Sequence, residues 1–109
     1  MDKIRVGIIG FGTIGSGVVS ILTTHGESVR QRLGVEVEVV KIADLDITTD
    51  RGIEVGSNVL TTDAQEVIEH PEIDVIVELI GGYEPARSFT LQAIAGGKHV
   101  VTANKALLA

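Results

Sequence analysis

Cysteine and tryptophan are both absent from this chain of 109 residues, and Phe11, Tyr83 and Phe89 are its only aromatic side chains. The lack of cysteine excludes disulfides, thiolate catalysis and Cys-based metal sites, and fits a cytoplasmic protein. Positive charge is scarce as well: 9 Lys and Arg stand against 15 Asp and Glu, for a formal net charge of −6. Domains that neutralise nucleic-acid phosphates usually carry a basic face, so no nucleic-acid partner is expected. No apolar run approaches the roughly 20 residues that cross a bilayer, so no membrane segment is expected, and Met1-Asp2-Lys3 leads into a strand without the pattern of a secretory signal. His25, His70 and His99 fall on separate predicted elements with no HxxxH or HxH spacing, so no metal site is expected.

Glycine, in contrast, is plentiful and ordered. Gly10-Phe11-Gly12-Thr13-Ile14-Gly15 follows the apolar run Ile4 to Ile9 and opens a stretch of helical spacing, the context in which GxGxxG points to dinucleotide binding. Gly10 is expected to turn the chain off the strand, Gly12 to let backbone approach a pyrophosphate, and Gly15 to bring helix and strand close. The phosphates would meet the N–H groups and positive dipole end of the helix, with no Lys or Arg required. Ile14, Val18, Ile21, Leu22 and His25 share one predicted helical face.

Along the chain, strand Ile4 to Ile9 precedes a helix from Thr13 to Arg32, stopped by Gly34 and weakened in its second half by Gly26. Val35 to Asp44 reads as a strand that begins with period-two alternation and becomes continuously apolar. A polar segment, Asp46 to Asn58, reads as an ordered loop. A short strand Val59 to Thr61 leads to a helix Ala64 to His70, with Asp63 as its cap and Glu66 completing a capping-box pair, ended by Pro71. Ile73 to Ile80 is the most apolar strand; a Gly81-Gly82 turn, a helix from Pro85 to Ala95, a Gly96-Gly97 stop and a strand His99 to Thr102 follow. Ala103 to Ala109 reads as the start of another helix.

Strands and helices alternating in this way imply an α/β, Rossmann-type doubly wound fold with a mainly parallel sheet and helices on both faces. Ligands of such sheets sit beyond the carboxyl ends of the strands, so Gly10 to Gly15, Asp44 to Asp46, Ile80 to Tyr83 and Thr102 to Lys105 are expected to line one cleft. Asp44 ends the second strand, where a carboxylate accepts bonds from the adenosine ribose and repels a 2′-phosphate, which favours NAD; Asp46 can share that role, and Arg51 keeps NADP open. Glu78 interrupts an apolar strand, and a buried carboxylate needs a partner. Structural hydrogen bonds to a neighbouring turn account for it at least as well as a functional role. Gly81 and Gly82 would let backbone approach the nicotinamide half. Lys105 follows the last strand, a place where exposed lysines are usually just solvated.

The strings Val77-Glu78-Leu79-Ile80-Gly81-Gly82-Tyr83-Glu84-Pro85-Ala86 and Thr102-Ala103-Asn104-Lys105-Ala106-Leu107-Leu108-Ala109, together with Gly10 to Val19, resemble homoserine dehydrogenase. The resemblance implies the NAD(P)-binding domain of an enzyme that interconverts L-homoserine and L-aspartate 4-semialdehyde on the route to threonine and methionine. It implies that Lys105 lies between nicotinamide and substrate and takes part in catalysis, and that Thr102 and Asn104 help shape the nicotinamide site. It further implies a homo-oligomeric full-length protein whose substrate-binding and dimerisation domain follows residue 109, so residues 1–109 are expected to form the cofactor domain and to bind cofactor without turnover. Many members carry Arg immediately after the strand-two Asp, where it holds the 2′-phosphate of NADP; Leu45 stands there in this chain, a second lean toward NAD. A non-catalytic dinucleotide-sensing module is the alternative of another class, and another semialdehyde or amino-acid dehydrogenase the alternative within enzymes.

Overall fold

The computed structural model describes residues 3–10, 12–46, 48, 58–80 and 84–102. Its strands are β1 (Lys3–Ile9), β2 (Glu36–Ala43), β3 (Leu60–Thr61), β4 (Val75–Glu78) and β5 (His99–Thr102), and its helices α1 (Thr13–Thr24), α2 (Gly26–Leu33), α3 (Gln65–Ile68) and α4 (Ala86–Ala95). The strands form one five-stranded sheet in the order β3-β2-β1-β4-β5, and every pairing is parallel. The expected doubly wound architecture is therefore present, with the chain reversing direction across the sheet at β1. Every strand delivers its carboxyl end to the same edge.

Alternation along the strands divides the core between the two faces. Val6, Ile8 and Ile42 pack with Val18 and Val19 of α1. Ile9, Ala43 and Ile76 pack with Val67 and Ile68 of α3 and with Phe89 and Ala93 of α4. Gly7 brings α3 close to the sheet: a Cβ there would fall 2.6 Å from Val67 Cγ1 and 2.7 Å from Ile73 Cδ1. No helix among the described residues is long and apolar enough to cross a membrane.

Three local expectations change. The single long helix is two, because the chain leaves helical geometry at His25 (φ −109°, ψ 28°) and α2 starts at Gly26. The sequence there, Thr23-Thr24-His25-Gly26, strings together weak helix formers. The buried face of α1 is also rotated from the expected one: Val19 is fully buried, whereas Ile21 and His25 are exposed. In β2, Val6 of β1 faces Val39 but Gly7 faces Lys41, so Val40 is an inserted residue. This bulge is the physical reason for the break in alternation: Val37, Val39 and Ile42 face α1, while Val40 and Ala43 face α3 and α4.

The expected cap of α3 holds in part. The Gln65 N–H donates to Asp63 Oδ1 at 2.9 Å. Glu66 does not close a box onto the Asp63 N–H; that group donates to Thr61 Oγ1 at 3.1 Å, and the Thr61 hydroxyl donates to Glu66. One side chain from β3 therefore joins both halves of the cap.

Candidate functional site

The glycine turn sits where β1 ends between its neighbours β2 and β4. Gly10 has φ +105°, a conformation that a side chain disfavours, and its N–H donates to the Ala43 carbonyl at 2.8 Å. On the β4 side, a Cβ at Gly10 would stand 3.0 Å from the Leu79 carbonyl carbon. The turn is thus tied to β2 and pressed against the chain leaving β4.

Gly12 is the N-cap of α1, and its carbonyl accepts the Ser16 N–H at 2.8 Å. Among the described residues no side chain caps this helix, and no acidic residue lies in its first turn, which begins with Thr13 and Ile14. The first N–H groups of a helix have no intrahelical acceptor, so this terminus offers donors and the positive end of a dipole. At Gly12 a Cβ would meet nothing within 4 Å among the described residues. Gly15 is the opposite case, since a Cβ would lie 2.1 Å from the Gly10 carbonyl oxygen. The helix start is therefore fixed against the turn, while no described residue fills the space beside Gly12.

Beside the turn opens a cleft of about 430 Å³. Ile9, Ala43, Ile80 and Phe89 supply apolar walls, and Asp44, Leu45, Asp63 and Gln65 are among its polar and exposed lining. Asp44 accepts the Asp46 N–H on Oδ1 at 2.8 Å, and Asp46 in turn accepts the Thr48 N–H at 3.1 Å, so consecutive side-chain turns shape the loop after β2. Leu45 is 93% exposed. The cleft thus combines apolar walls with a carboxylate at the end of β2.

The far side of the site begins at the ends of β4 and β5. Glu78 is fully buried; Oε1 accepts the Ile80 N–H and Oε2 accepts the Thr102 hydroxyl, each at 2.6 Å. The buried carboxyl thus has the partners that its burial requires. Among the described residues no cluster of His, Asp and Glu has the makings of a metal site.

The structure brings Gly10, Asp44, Leu45 and Ile80 to one cleft, places Gly12, Thr13, Ile14 and Gly15 at the helix start beside it, and joins Thr102 to Ile80 through Glu78. Phe11, Arg51, Gly81, Gly82, Tyr83, Asn104 and Lys105 lie outside the described residues. Sequence reasoning missed Thr62, Asp63, Ala64, Gln65, Pro85 and Phe89 as cleft residues. The signal was available, because the short strand β3 ends at the same edge as the others and Phe89 is one of few aromatic side chains.

The family model described as homoserine dehydrogenase, NAD binding domain, matches residues 10–109. The homoserine dehydrogenase of Methylobacillus glycogenes is 44% identical over 100% of this chain and 26% of its own length. That of Bacillus subtilis is 41% identical, again over 100% of this chain and 25% of its own length. Among solved structures, a homoserine dehydrogenase from Thiobacillus denitrificans superimposes with a TM-score of 0.88 at 46% identity, over 97% of this chain and 24% of that one. The chain spans about a quarter of the length of the relatives that it matches.

Proposed function

Since the chain belongs to the homoserine dehydrogenase family, as its NAD-binding domain, we propose that it holds NAD, in preference to NADP, for the interconversion of L-homoserine and L-aspartate 4-semialdehyde in a longer, homo-oligomeric protein. The observation that carries the cofactor reading is the space at Gly12 that no described residue fills, at the start of α1 and next to an apolar cleft edged by Asp44. When bound, the dinucleotide supplies hydride chemistry at its nicotinamide ring.

The residues of this chain divide the remaining work. Phe11, Gly12, Thr13, Ile14 and Gly15 hold the pyrophosphate by backbone N–H groups. Gly10 and Ile80 close the two sides of the turn. Asp44 accepts the ribose hydroxyls, and Leu45 leaves the 2′ position without a cation. Gly81, Gly82, Thr102 and Asn104 shape the nicotinamide end. Lys105 holds the proton that moves to or from the substrate oxygen as the carbonyl and alcohol interconvert. Residues 1–109 act as the cofactor domain, and substrate-binding groups come from the remainder of the full-length protein.

Calorimetric titration of the chain with NADH and with NADPH tests this reading, using Gly12→Val as the obstructed control. Tighter binding of NADH, reduced at least about tenfold by the valine, is expected because a side chain would occupy the phosphate space. Binding of neither nucleotide by the unaltered chain, or equal binding by Gly12→Val, would overturn it.

Leu45→Arg provides a separate check of cofactor choice. A guanidinium beside a 2′-phosphate forms charge-assisted bonds, so the ratio of NADPH to NADH affinity should rise by about tenfold. The same titrations read it, and an unchanged ratio would remove Leu45 from the account.

A further inference from the structure

We propose that Glu78 is a positioning residue for the nicotinamide end of the site, holding the ends of β4 and β5 in one fixed relation. The inference rests on the reading above, in which the residues following Ile80 and Thr102 serve the nicotinamide and the substrate.

Three observations lead to it. Glu78 and Thr102 are paired in register as the last residues of adjacent parallel strands. They are also joined laterally through their side chains, by the 2.6 Å bond from the Thr102 hydroxyl to Oε2. The ladder continues for one residue after β4, with the Leu79 N–H donating to the Ile9 carbonyl at 2.8 Å; the next N–H, that of Ile80, goes to Glu78 Oε1 instead. One carboxyl group therefore sets both the turn of the chain after β4 and its spacing from the end of β5.

The rest of β4 is apolar. Val75 and Val77 pack on the α1 face and Ile76 on the α3 and α4 face, and Glu78 itself is 0% exposed. Replacing a buried polar group together with its partners by hydrophobic side chains of similar volume is often neutral or stabilising, so net stability alone does not account for a carboxyl and its two donors here. It is explained by geometry. Gly81 and Gly82 follow Ile80 directly, and Asn104 and Lys105 follow Thr102 with only Ala103 between. A small displacement between the anchors would separate the groups that must meet one nicotinamide, and misplacement by about 1 Å can cost about a hundredfold in rate.

Four variants of the full-length protein test the proposal. Glu78→Met keeps the volume and removes both acceptors. Glu78→Gln can keep both bonds, its oxygen accepting from Ile80 and its amide donating to a rotated Thr102 hydroxyl. Thr102→Val removes the lateral bond, and Thr102→Ser retains it. Turnover, NADH affinity and the affinity for ADP-ribose, which lacks nicotinamide, are measured together with the melting temperature.

Glu78→Met, which strips two donors of their acceptor, is expected to melt at a lower temperature and still to bind ADP-ribose within about twofold of the unaltered protein. Its kcat should fall by about ten- to a hundredfold. Glu78→Gln should stay close to the unaltered enzyme, and Thr102→Val should lose kcat as Glu78→Met does and by more than Thr102→Ser, which keeps the hydroxyl. If Glu78→Met does not fold, the Thr102→Val and Thr102→Ser pair decides on the same criteria. Unchanged kcat in Glu78→Met, or parallel loss of ADP-ribose and NADH binding, would overturn the positioning role. Failure of the underlying reading is seen elsewhere, as an unaltered protein that binds neither NADH nor NADPH.

Discussion

Gly15→Ala should be among the most damaging single-methyl changes in this domain, costing about 3 kcal/mol or more of folding stability through overpacking. The added carbon would stand 2.1 Å from the Gly10 carbonyl oxygen and 2.9 Å from its carbon. Both are backbone atoms, so no side chain can rotate away. Relief requires α1 to lift from the turn, and the turn is held on its other flanks by the Gly10 N–H bond to Ala43 and by the backbone of Leu79. Thermal unfolding followed by circular dichroism reads the stability, and NADH titration reads the phosphate site that would be displaced with the helix. Gly17→Ala supplies the control within the same helix. A Cβ there meets nothing within 4 Å among the described residues, and an alanine in an exposed helix interior should stabilise by about 0.5–1 kcal/mol. Equal effects of the two alanines would show that helix propensity, and not the contact at Gly10, governs position 15.

The second large effect concerns chemistry. Lys105→Ala in the full-length protein is expected to lower turnover by about 10²–10⁴-fold, the usual contribution of a positioned proton donor or acceptor. NADH affinity should change only a few-fold, because the pyrophosphate and adenosine contacts come from other elements. Lys105→Arg is expected to rescue little: it preserves charge, but a guanidinium does not release its proton at accessible pH. Steady-state kinetics in both directions, with homoserine and with aspartate semialdehyde, provide the measurement. Unchanged turnover with intact cofactor binding would remove Lys105 from the mechanism.

What the sequence made readable, and what it hid, follows from how local each feature is. The strands, the glycine turn and the alternation that implies a parallel sheet depend on neighbours in the chain, and they stand close to where the pattern puts them, although the strand expected over Ile73 to Ile80 forms only over Val75–Glu78. The break at His25 was visible only as a weakness at Gly26, because propensity summed over a long window hides one residue outside helical geometry. The bulge at Val40 left a trace, the loss of alternation, but that trace reads equally well as a strand becoming buried on both faces. The α1 core face was misplaced because Ile21 and Val19 are equally apolar, and only the sheet beneath decides which one is covered.

The site divides in the same way. Gly10, Gly12 and Gly15 carry their reasons in their spacing. Asp63, Gln65 and Phe89 reach the cleft through the position of β3 and α4 relative to the sheet, which no short motif encodes. Glu78 announced that it needed a partner without naming Thr102, twenty-four residues further along the chain. Nothing in the neighbourhood of Lys105 distinguishes it from a solvated lysine; its role came from resemblance alone.

The near-complete exposure of Leu45 has an evolutionary corollary. On the proposed reading, the position that selects between the two nicotinamide currencies bears almost no packing duty, so a lineage can exchange one for the other by altering a codon there without endangering the fold. Gly15 has no such freedom. The domain thus separates what may drift from what must stay, and a change in cellular redox supply can be followed at the rim of the cleft while its foundation is left alone.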